Sequence, residues 1–193
     1  MHRFRVSISG TTPLLMHSSR LADPLDPVTK ALKRVSGKRI KTDEDHAEMA
    51  RIEHAGSLYL DADLGPYVPG ENIARCLVEA ARITKSGKKI EQGVVIDTDT
   101  NALVYRGPRD ADGLWADENY RHRASVKVGQ VRVMRTRPQF RDWSVYADGI
   151  YDPAVINLAD LSEIADTAGA RIGLGDWRPR FGRFTATIEK VAA

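Results

Sequence analysis

Three segments of the sequence alternate strictly between apolar and polar residues, and this alternation constrains the fold more than any other feature. In residues 3–9 the apolar side chains are Phe4, Val6 and Ile8, and residues 143–148 and 183–189 repeat the pattern. Successive side chains of a strand point to opposite faces of a sheet, so each segment is predicted to be a strand with one buried and one wet face. A fourth strand pattern covers residues 126–133, with a bulge or turn at Gly129-Gln130.

Two amphipathic helix patterns lie between these strands. One covers residues 71–84, and the other begins at Asn157 and is expected to stop at Gly169. The resulting order, strand-helix-strand-strand-helix-strand, is typical of a ferredoxin-like or RNA-recognition-motif (RRM) fold. We therefore predict an α+β protein, with one RRM-like domain over residues 1–193 and insertions at residues 10–70 and 86–124. Further helices are predicted near residues 28–35 and from Thr42 or Asp43 to about residue 54.

The composition excludes several classes of protein. With 193 residues, 42% of them hydrophobic, the chain can bury one ordinary core, and no apolar run is long enough to span a bilayer. The single cysteine, Cys76, excludes an internal disulfide framework and is expected in the core. The scattered histidines have no metal-ligand spacing. We expect a cytoplasmic protein without a membrane partner, a metal or a cofactor.

Positive charge is concentrated at the beginning of the chain. Residues 1–41 hold nine lysines and arginines against Asp23 and Asp26, a local net charge of +7 in a chain whose total is +3. This distribution favours a polyanionic partner, and a solvated surface is the alternative. The stretch around residues 30–41 is expected to be mobile and to become ordered on binding. The predicted contacts in this region are Arg3, Arg5, Lys30, Lys33, Arg34, Lys38, Arg39 and Lys41.

Two further groups of residues are candidates for nucleic-acid binding. If both helices cover one sheet face, the other face is wet and suits a single strand, although an ordinary exposed face is equally consistent with the pattern. The residues expected on that face are Arg3, Arg5, Ser7, Arg132, Tyr146, Arg183, Thr185 and Thr187. A second arginine cluster is interleaved with aromatic residues, of which Trp143 is expected in the core. It comprises Arg132, Arg135, Arg137, Arg141, Phe140 and Trp143.

A glycine- and arginine-rich stretch precedes the last predicted strand. Glycines allow a backbone to approach a ligand closely and to offer amide donors to phosphates, arginines add charge, and aromatic rings can stack on bases. Packing of the aromatic side chains into the core is the alternative. The stretch contains Gly173, Gly175, Gly182, Arg178, Arg180, Arg183, Trp177 and Phe181.

This stretch resembles the glycine-rich loop before the last strand in the RAMP superfamily of CRISPR-associated proteins. Residues 66–75, which read Pro-Tyr-Val-Pro-Gly-Glu-Asn-Ile-Ala-Arg, are similar to the segment that opens the first helix in the backbone subunits of CRISPR effector complexes. Residues 6–15 fit the first strand and its exit. Glu71-Asn72 departs from the paired serines of that segment.

The resemblance implies a subunit of an antiviral ribonucleoprotein that coats a guide RNA and polymerises along it. The basic insertion at residues 10–70 would then be a thumb-like element that interrupts the bound strand, and Arg75 would join the contacts. A phage or mobile-element relative with another single-stranded partner is an alternative source of the same resemblance.

We therefore expect a nucleic-acid-binding subunit that oligomerises head-to-tail, as a filament or helix, along single-stranded RNA or DNA, with copies of itself and other ribonucleoprotein subunits as partners. In the RNA-cleaving branch of the family an aspartate follows the first strand, and Asp23 and Asp26 occupy that region here. A metal-dependent ribonuclease that uses Asp23 or Asp26 is therefore one alternative. A self-assembling protein without nucleic acid is another.

Overall fold

The computed structural model describes residues 1–191 and divides the chain into two compact units. Unit 1 comprises Met1–Leu14, Asp61–Arg106 and the chain from Arg141 onward, and unit 2 comprises Leu15–Leu60 and Gly107–Phe140. The insertions predicted at residues 10–70 and 86–124 do not coincide with unit 2, because residues 61–106 belong to unit 1 and residues 125–140 to unit 2. The last two residues of the predicted domain 1–193 lie outside the described range.

Within that range the chain forms ten strands and six α-helices. The strands are β1 (His2–Gly10), β2 (Leu14–Leu15), β3 (Leu60–Asp61), β4 (Gly65–Pro69), β5 (Val94–Ile96), β6 (Thr100–Ala102), β7 (Arg121–Val128), β8 (Val131–Phe140), β9 (Ser144–Tyr151) and β10 (Phe184–Val191). The α-helices are α1 (Pro27–Ser36), α2 (Asp43–Ser57), α3 (Gly70–Ile83), α4 (Gly87–Gly93), α5 (Ala111–Ala116) and α6 (Leu158–Thr167). None of these helices is long and apolar enough to cross a membrane.

Unit 1 is built on a four-stranded antiparallel sheet with the order β10-β1-β9-β5. Along the chain its main elements are β1, α3, β5, β9, α6 and β10, so the predicted α+β class is confirmed. The predicted strand at residues 126–133 is not part of this sheet, and β5 occupies its place. Because β5 has only three residues, it is too short to show the alternation by which the longer strands were recognised.

The core of unit 1 lies between this sheet and helices α3 and α6. Phe4, Val6 and Ile8 of β1 are at most 1% exposed, as the alternation predicts. The helices contribute their apolar stripes, and the removal of these side chains from water stabilises the unit. The buried stripe residues are Ile73, Cys76, Leu77, Ala80 and Ala81 of α3 and Leu161, Ile164 and Ala165 of α6.

Trp143 belongs to this core, as predicted. Its indole nitrogen donates to the Thr12 carbonyl at 2.9 Å, and its ring lies where a side chain on Gly10 would be. Gly169 was expected to stop the second main helix, but the chain continues as a π-helical segment, Ala168–Ile172. The backbone of Phe184 leaves no room for a side chain at Gly169, so this glycine permits close packing of the segment on β10.

Unit 2 contains α1, α2, α5 and the hairpin formed by β7 and β8. The hairpin turns at Gly129, where φ is +60°, which confirms the turn predicted at Gly129-Gln130. Both predicted helices are present, and Thr42 caps α2 in a reciprocal capping box with Asp45. Their buried faces contribute to the core of unit 2.

Two neighbouring residues of α2 attach the hairpin to that helix. Glu53, which is buried, accepts hydrogen bonds from the Thr136 amide at 2.7 Å and from Arg135 Nη1 at 2.9 Å. His54, which is completely buried, contacts the Tyr120 carbonyl through Nε2 at 3.0 Å. This distance assigns the proton of the ring to Nε2. Nδ1 of the same ring has no hydrogen-bond partner among the described residues.

We predict that the stability of unit 2 falls as the pH decreases below about 6.5, the pKa of histidine in an unfolded chain. Burial lowers the pKa of His54; its bond to Tyr120 opposes this, and the Arg121 guanidinium adds to the lowering. As the pH falls, the unfolded chain therefore binds a proton at His54 before the folded unit does, and this protonation favours the unfolded state. Urea denaturation should show a loss of about 1 kcal/mol between pH 7.5 and 5.5.

The substitution His54→Gln keeps a donor for the Tyr120 carbonyl and should flatten this dependence. His46→Gln, at an exposed position of the same helix, is the matched control and should retain the slope of the wild type. Equal slopes for His54→Gln and the wild type would contradict the prediction.

Candidate nucleic-acid interface

The predicted contact residues are divided between the two units. Unit 1 holds Arg3, Arg5, Arg75, Arg178, Arg180, Arg183, Gly173, Gly175 and Gly182. Unit 2 holds Lys30, Lys33, Arg34, Lys38, Arg39, Lys41, Arg132, Arg135 and Arg137. Within each unit, the local contacts decide which cations are available to a ligand.

The face of the unit 1 sheet opposite the helices is balanced in charge. Arg3 pairs with Asp97 at 2.9 Å, and Arg5 forms a two-pronged pair with Asp148 at 2.7 and 2.8 Å. The hydrogen bonds from Arg5 lower the pKa of Asp148, so this carboxylate stays ionised under ordinary conditions. Glu189 lies opposite Arg5 on β10. Arg3 and Arg5 therefore lie on the open face as predicted, but neighbouring acids balance their charge.

The membership of that face also differs from the prediction. Tyr146, Thr185 and Thr187 are exposed on it as expected. Arg132 is not, because it lies on the hairpin of unit 2. Arg183 precedes β10, and its Nε donates to the Pro179 carbonyl at 2.8 Å, which ties it to the preceding loop.

Backbone hydrogen bonds join the two ends of the glycine-rich stretch to each other and to the residues that follow β1. The amides of Gly173 and Gly182 donate to the carbonyls of Ala168 and Pro13, each at 2.8 Å, and the amide of Leu174 donates to Gly182. All three glycines of the stretch adopt positive φ angles, between +72° and +81°. The amides of Gly173 and Gly182 are therefore used by the fold. The amide of Gly175 has no partner among the described residues and is available to a ligand.

Arg75 and Arg178 share one carboxylate. Arg178 Nη1 lies 3.2 Å from Glu79 Oε2, and Arg75 Nε lies 3.0 Å from Glu79 Oε1. Two cations beside one anion leave a positive charge at this edge of α3. The resemblance implies that Arg75 is one of the contact residues. Its guanidinium is held at this edge by Glu79, a residue that the sequence analysis does not single out.

A groove of about 410 Å³ lies beside this cluster. Two arginines, Arg171 and Arg178, and two acids, Glu79 and Asp176, line it together with Gly175 and Trp177. Trp177 is 39% exposed and adopts a φ of +58°, which is unusual for a bulky residue and is typical of functional positions. Arg171 is exposed and has no partner among the described residues. The sequence reasoning missed it, although a cation two positions before Gly173 was a usable signal.

The two aromatic residues of the stretch stack on each other. The ring centroids of Trp177 and Phe181 are 5.9 Å apart and the rings are nearly parallel, at 18°. The Arg180 guanidinium lies over the Phe181 ring, 5.9 Å from its centroid. Trp177 is therefore supported on one side by Phe181 while part of its ring system stays open to the groove.

Helix α1 carries the basic residues of the first predicted insertion. Lys30, Lys33 and Arg34 are spaced so that they share one exposed side of the helix. Arg39 is exposed in the following loop, where Lys38 pairs with Asp45 at 2.6 Å and Lys41 Nζ donates to the Lys38 carbonyl at 2.8 Å. The exposed cations of α1 and Arg39 make no ion pair within the part of the chain that the structure describes.

The arginines of the hairpin cluster differ in how far they are exposed to solvent. Arg135 is paired with Glu53, and Arg137 is half-buried near the root of the hairpin. Phe140 is completely buried, so its predicted role as a stacking surface is wrong. Arg132, near the turn, is the exposed member of the trio of predicted contacts.

Asp23 and Asp26 form the turn that leads into α1. Asp26 accepts from the Val28 amide at 2.7 Å as the cap of α1, and it pairs with Arg20 at 3.1 Å. The bond to Arg20 lowers the pKa of Asp26. Asp23 accepts from the Leu25 amide at 2.8 Å. These bonds give both aspartates a local structural role.

Other chemistry-bearing side chains are not gathered into a site. In residues 1–191 no three or more histidine, cysteine and acidic side chains are placed to hold a metal ion. The thiol of Cys76 is buried, as predicted, and lies 3.3 Å from the Gly173 carbonyl. Burial raises its pKa to about 12, so the thiol stays protonated and unreactive.

We predict that Gly182→Ala destabilises unit 1 by about 3 kcal/mol, because it combines a left-handed backbone with an overlap against the Leu174 carbonyl. Gly129→Ala is the matched control. Gly129 has a similar φ of +60° and nothing within 4 Å of the added atom, so its cost should be about 1 kcal/mol. Urea unfolding of both variants measures the difference, and equal losses would contradict this account of the stretch.

Comparisons with known proteins do not change which residues are candidates for this interface. A scan against protein-family models finds no match to this chain, and a search of curated proteins finds no relative. The resemblance to the RAMP superfamily therefore rests on the residues quoted for it, and the candidate interface rests on the contacts described above.

Proposed function

We propose that the chain binds single-stranded nucleic acid through the groove beside Trp177 and assembles head-to-tail along the bound strand. The observation that carries the proposal is the exposed Trp177 ring in a groove that also contains the unpaired Arg171 and the free amide of Gly175. Aromatic rings that stack on bases, beside cations that neutralise phosphates, are the usual means of binding single strands without reading their sequence.

The arrangement favours a single strand over a duplex. A base can stack on Trp177 only when its own face is exposed, and bases inside a duplex are already stacked on their neighbours. Arg171 and the Gly175 amide are available for the phosphate that such a base carries. Arg180, over Phe181, adds a cation at the other end of the aromatic pair.

The topology of unit 1 supports the same function. In its sheet, β1 lies between β10 and β9, and β5 lies at the edge. Because the chain order is βαββαβ, we propose that unit 1 has a ferredoxin-like, RRM-like core. Membership of the RAMP superfamily is part of this proposal. The glycine-rich stretch would then bind the strand through Trp177, together with Arg171 just before it, while its outer glycines close the fold.

Helix α1 supports a second contact with the same kind of ligand. Lys30, Lys33 and Arg34 lie on one exposed side and lack internal ion pairs, so a phosphate backbone can neutralise them without breaking a native interaction. By contrast, Arg3 and Arg5 would have to leave Asp97 and Asp148 to reach a phosphate. The exposed cations of α1 are therefore the better candidates.

We predict that Trp177→Leu weakens the binding of a labelled single strand of about 20 nucleotides by roughly 5- to 100-fold, the worth of one base stack. Arg171→Ala with Arg180→Ala should also weaken it and make the slope of log affinity against log salt shallower by about 1.4. Fluorescence anisotropy of nuclease-treated protein, with poly-U, oligo-dT and a duplex as probes, measures these changes.

The matched control is Arg3→Ala with Arg5→Ala, which removes two arginines that already have partners. It should change the affinity by less than about twofold. If wild-type protein ignores single strands at low salt, the proposal fails and a self-assembling protein without nucleic acid takes its place. If only the control variant loses binding, the strand lies on the open sheet face instead of in the groove.

A further inference from the structure

We propose that the tip of the β7–β8 hairpin of one copy docks into the groove between α3 and α6 of the next copy. This inference deepens the head-to-tail assembly in the proposed function and rests on it. It names the two surfaces that meet, and it follows from residues that the proposed nucleic-acid site does not use.

The hairpin exposes an apolar face near its turn. Val126 lies opposite Val133 and Val128 opposite Val131, so all four valines share one side of the ribbon. Val128 is 53% exposed and Val131 is 64% exposed. A two-stranded ribbon is only marginally stable in water on its own. Exposed apolar patches such as these adjacent valines mark surfaces that another molecule covers.

The opposite face of the ribbon carries three cations and the exposed side chain of Met134. Lys127 lies directly opposite Arg132, and Arg123 is on the same side, because successive residues alternate between faces. All three side chains are exposed and make no ion pair within the described range. The turn therefore presents an apolar side and a cationic side to one partner.

A groove in unit 1 has the complementary walls. Ala80 of α3, Ile164 of α6 and Ile156, just before α6, give the groove an apolar lining, and Asp160 and Glu163 of α6 give it an acidic one. Ile83, 47% exposed, is three positions after Ala80 and so lies next to this lining on the surface of α3. Asp160 and Glu163 are exposed and have no ion pair in residues 1–191. Asp166, three positions after Glu163 and so beside it on α6, is also exposed without an ion pair in that range, just outside the lining of the groove. Lys89 and Ser86 also line the groove, which holds about 210 Å³ and so suits a turn better than a whole strand.

The two surfaces match in both charge and polarity. A ribbon with valines on one side and cations on the other meets a groove with an apolar wall and an acidic wall. Because the surfaces lie on different parts of the chain, each copy would offer one of each, and such a heterologous contact propagates into a chain of copies. A contact between two valine faces would instead pair two copies and stop.

Sedimentation velocity of the nuclease-treated full chain at about 100 µM tests this contact, since small interfaces bind in the micromolar range. Wild-type protein should form a concentration-dependent series of oligomers. Val128→Lys with Val131→Lys should be monomeric, and so should Glu163→Lys with Asp166→Lys. The matched controls, Leu25→Lys with Ile40→Lys and the single change Glu48→Lys, alter exposed residues outside both surfaces and should assemble as the wild type does.

Mixing the two monomeric variants is the decisive step. Each retains one intact surface, so an equimolar mixture should form a dimer of one copy of each variant and nothing larger. A wild-type chain that stays monomeric, variants that still assemble, or a mixture that stays monomeric would each overturn the proposal. A wild-type dimer that the valine variant alone abolishes would also overturn it, in favour of valine-face pairing.

A charge exchange gives a second test. Lys127→Glu with Arg132→Glu should abolish assembly, and adding Glu163→Lys with Asp166→Lys to the same chain should restore it. Failure to restore assembly would remove the acidic wall as the partner of these cations. Strand binding by the valine variant, measured by anisotropy, separates the two proposals: if it binds strands but the mixture fails, only the docking contact is lost.

Discussion

Strand β1 is the element on which the rest of unit 1 depends. It pairs with β9 on one side and β10 on the other, each over eight residues, so its backbone is fully used inside the sheet. Its inward side chains are buried, and its outward positions therefore carry Arg3 and Arg5 into the open face. The ion pairs with Asp97 and Asp148 follow from that placement, because the neighbouring strands bring these acids alongside. A basic first strand thus produces a neutral surface.

The glycine-rich stretch shows how closing the fold and binding a ligand can share one segment. Gly173 and Gly182 hold the stretch against the exit of β1, and their tight surroundings explain why these positions are glycine. This closure leaves Gly175 and Trp177 beside the groove. The glycines at the ends therefore stabilise the segment, and the residues between them are the ones that a strand can reach.

The sequence predicts the elements of this fold better than it predicts their partners. Long periodic segments such as β1, α3 and α6 were predicted within a few residues, because periodicity is a local property. The three residues of β5 are too few to show an alternating pattern, so the sequence predicts the strand at 126–133 in the sheet instead of β5. The pairing of Arg5 with Asp148 spans 143 positions, and the buried Phe140 packs against Tyr120, which lies well before it in the chain. Neither could be predicted from a local pattern, so which arginines are free had to come from the structure.

The distinction between paired and unpaired charges then separates the functions of the cations. Arg3, Arg5 and Arg135 each have an acidic partner within their own unit, so exchanging that partner for a phosphate brings little free energy. Arg171 and the exposed cations of α1 lack such partners, and a phosphate backbone gains the full benefit of releasing its counterions to them. Arg123, Lys127 and Arg132 of the hairpin also make no ion pair among the described residues, but the same chain carries exposed acids without ion pairs on α6. Because one chain contains both of those surfaces, their attraction favours contact between copies, and it leaves the cations of the groove and of α1 for the strand.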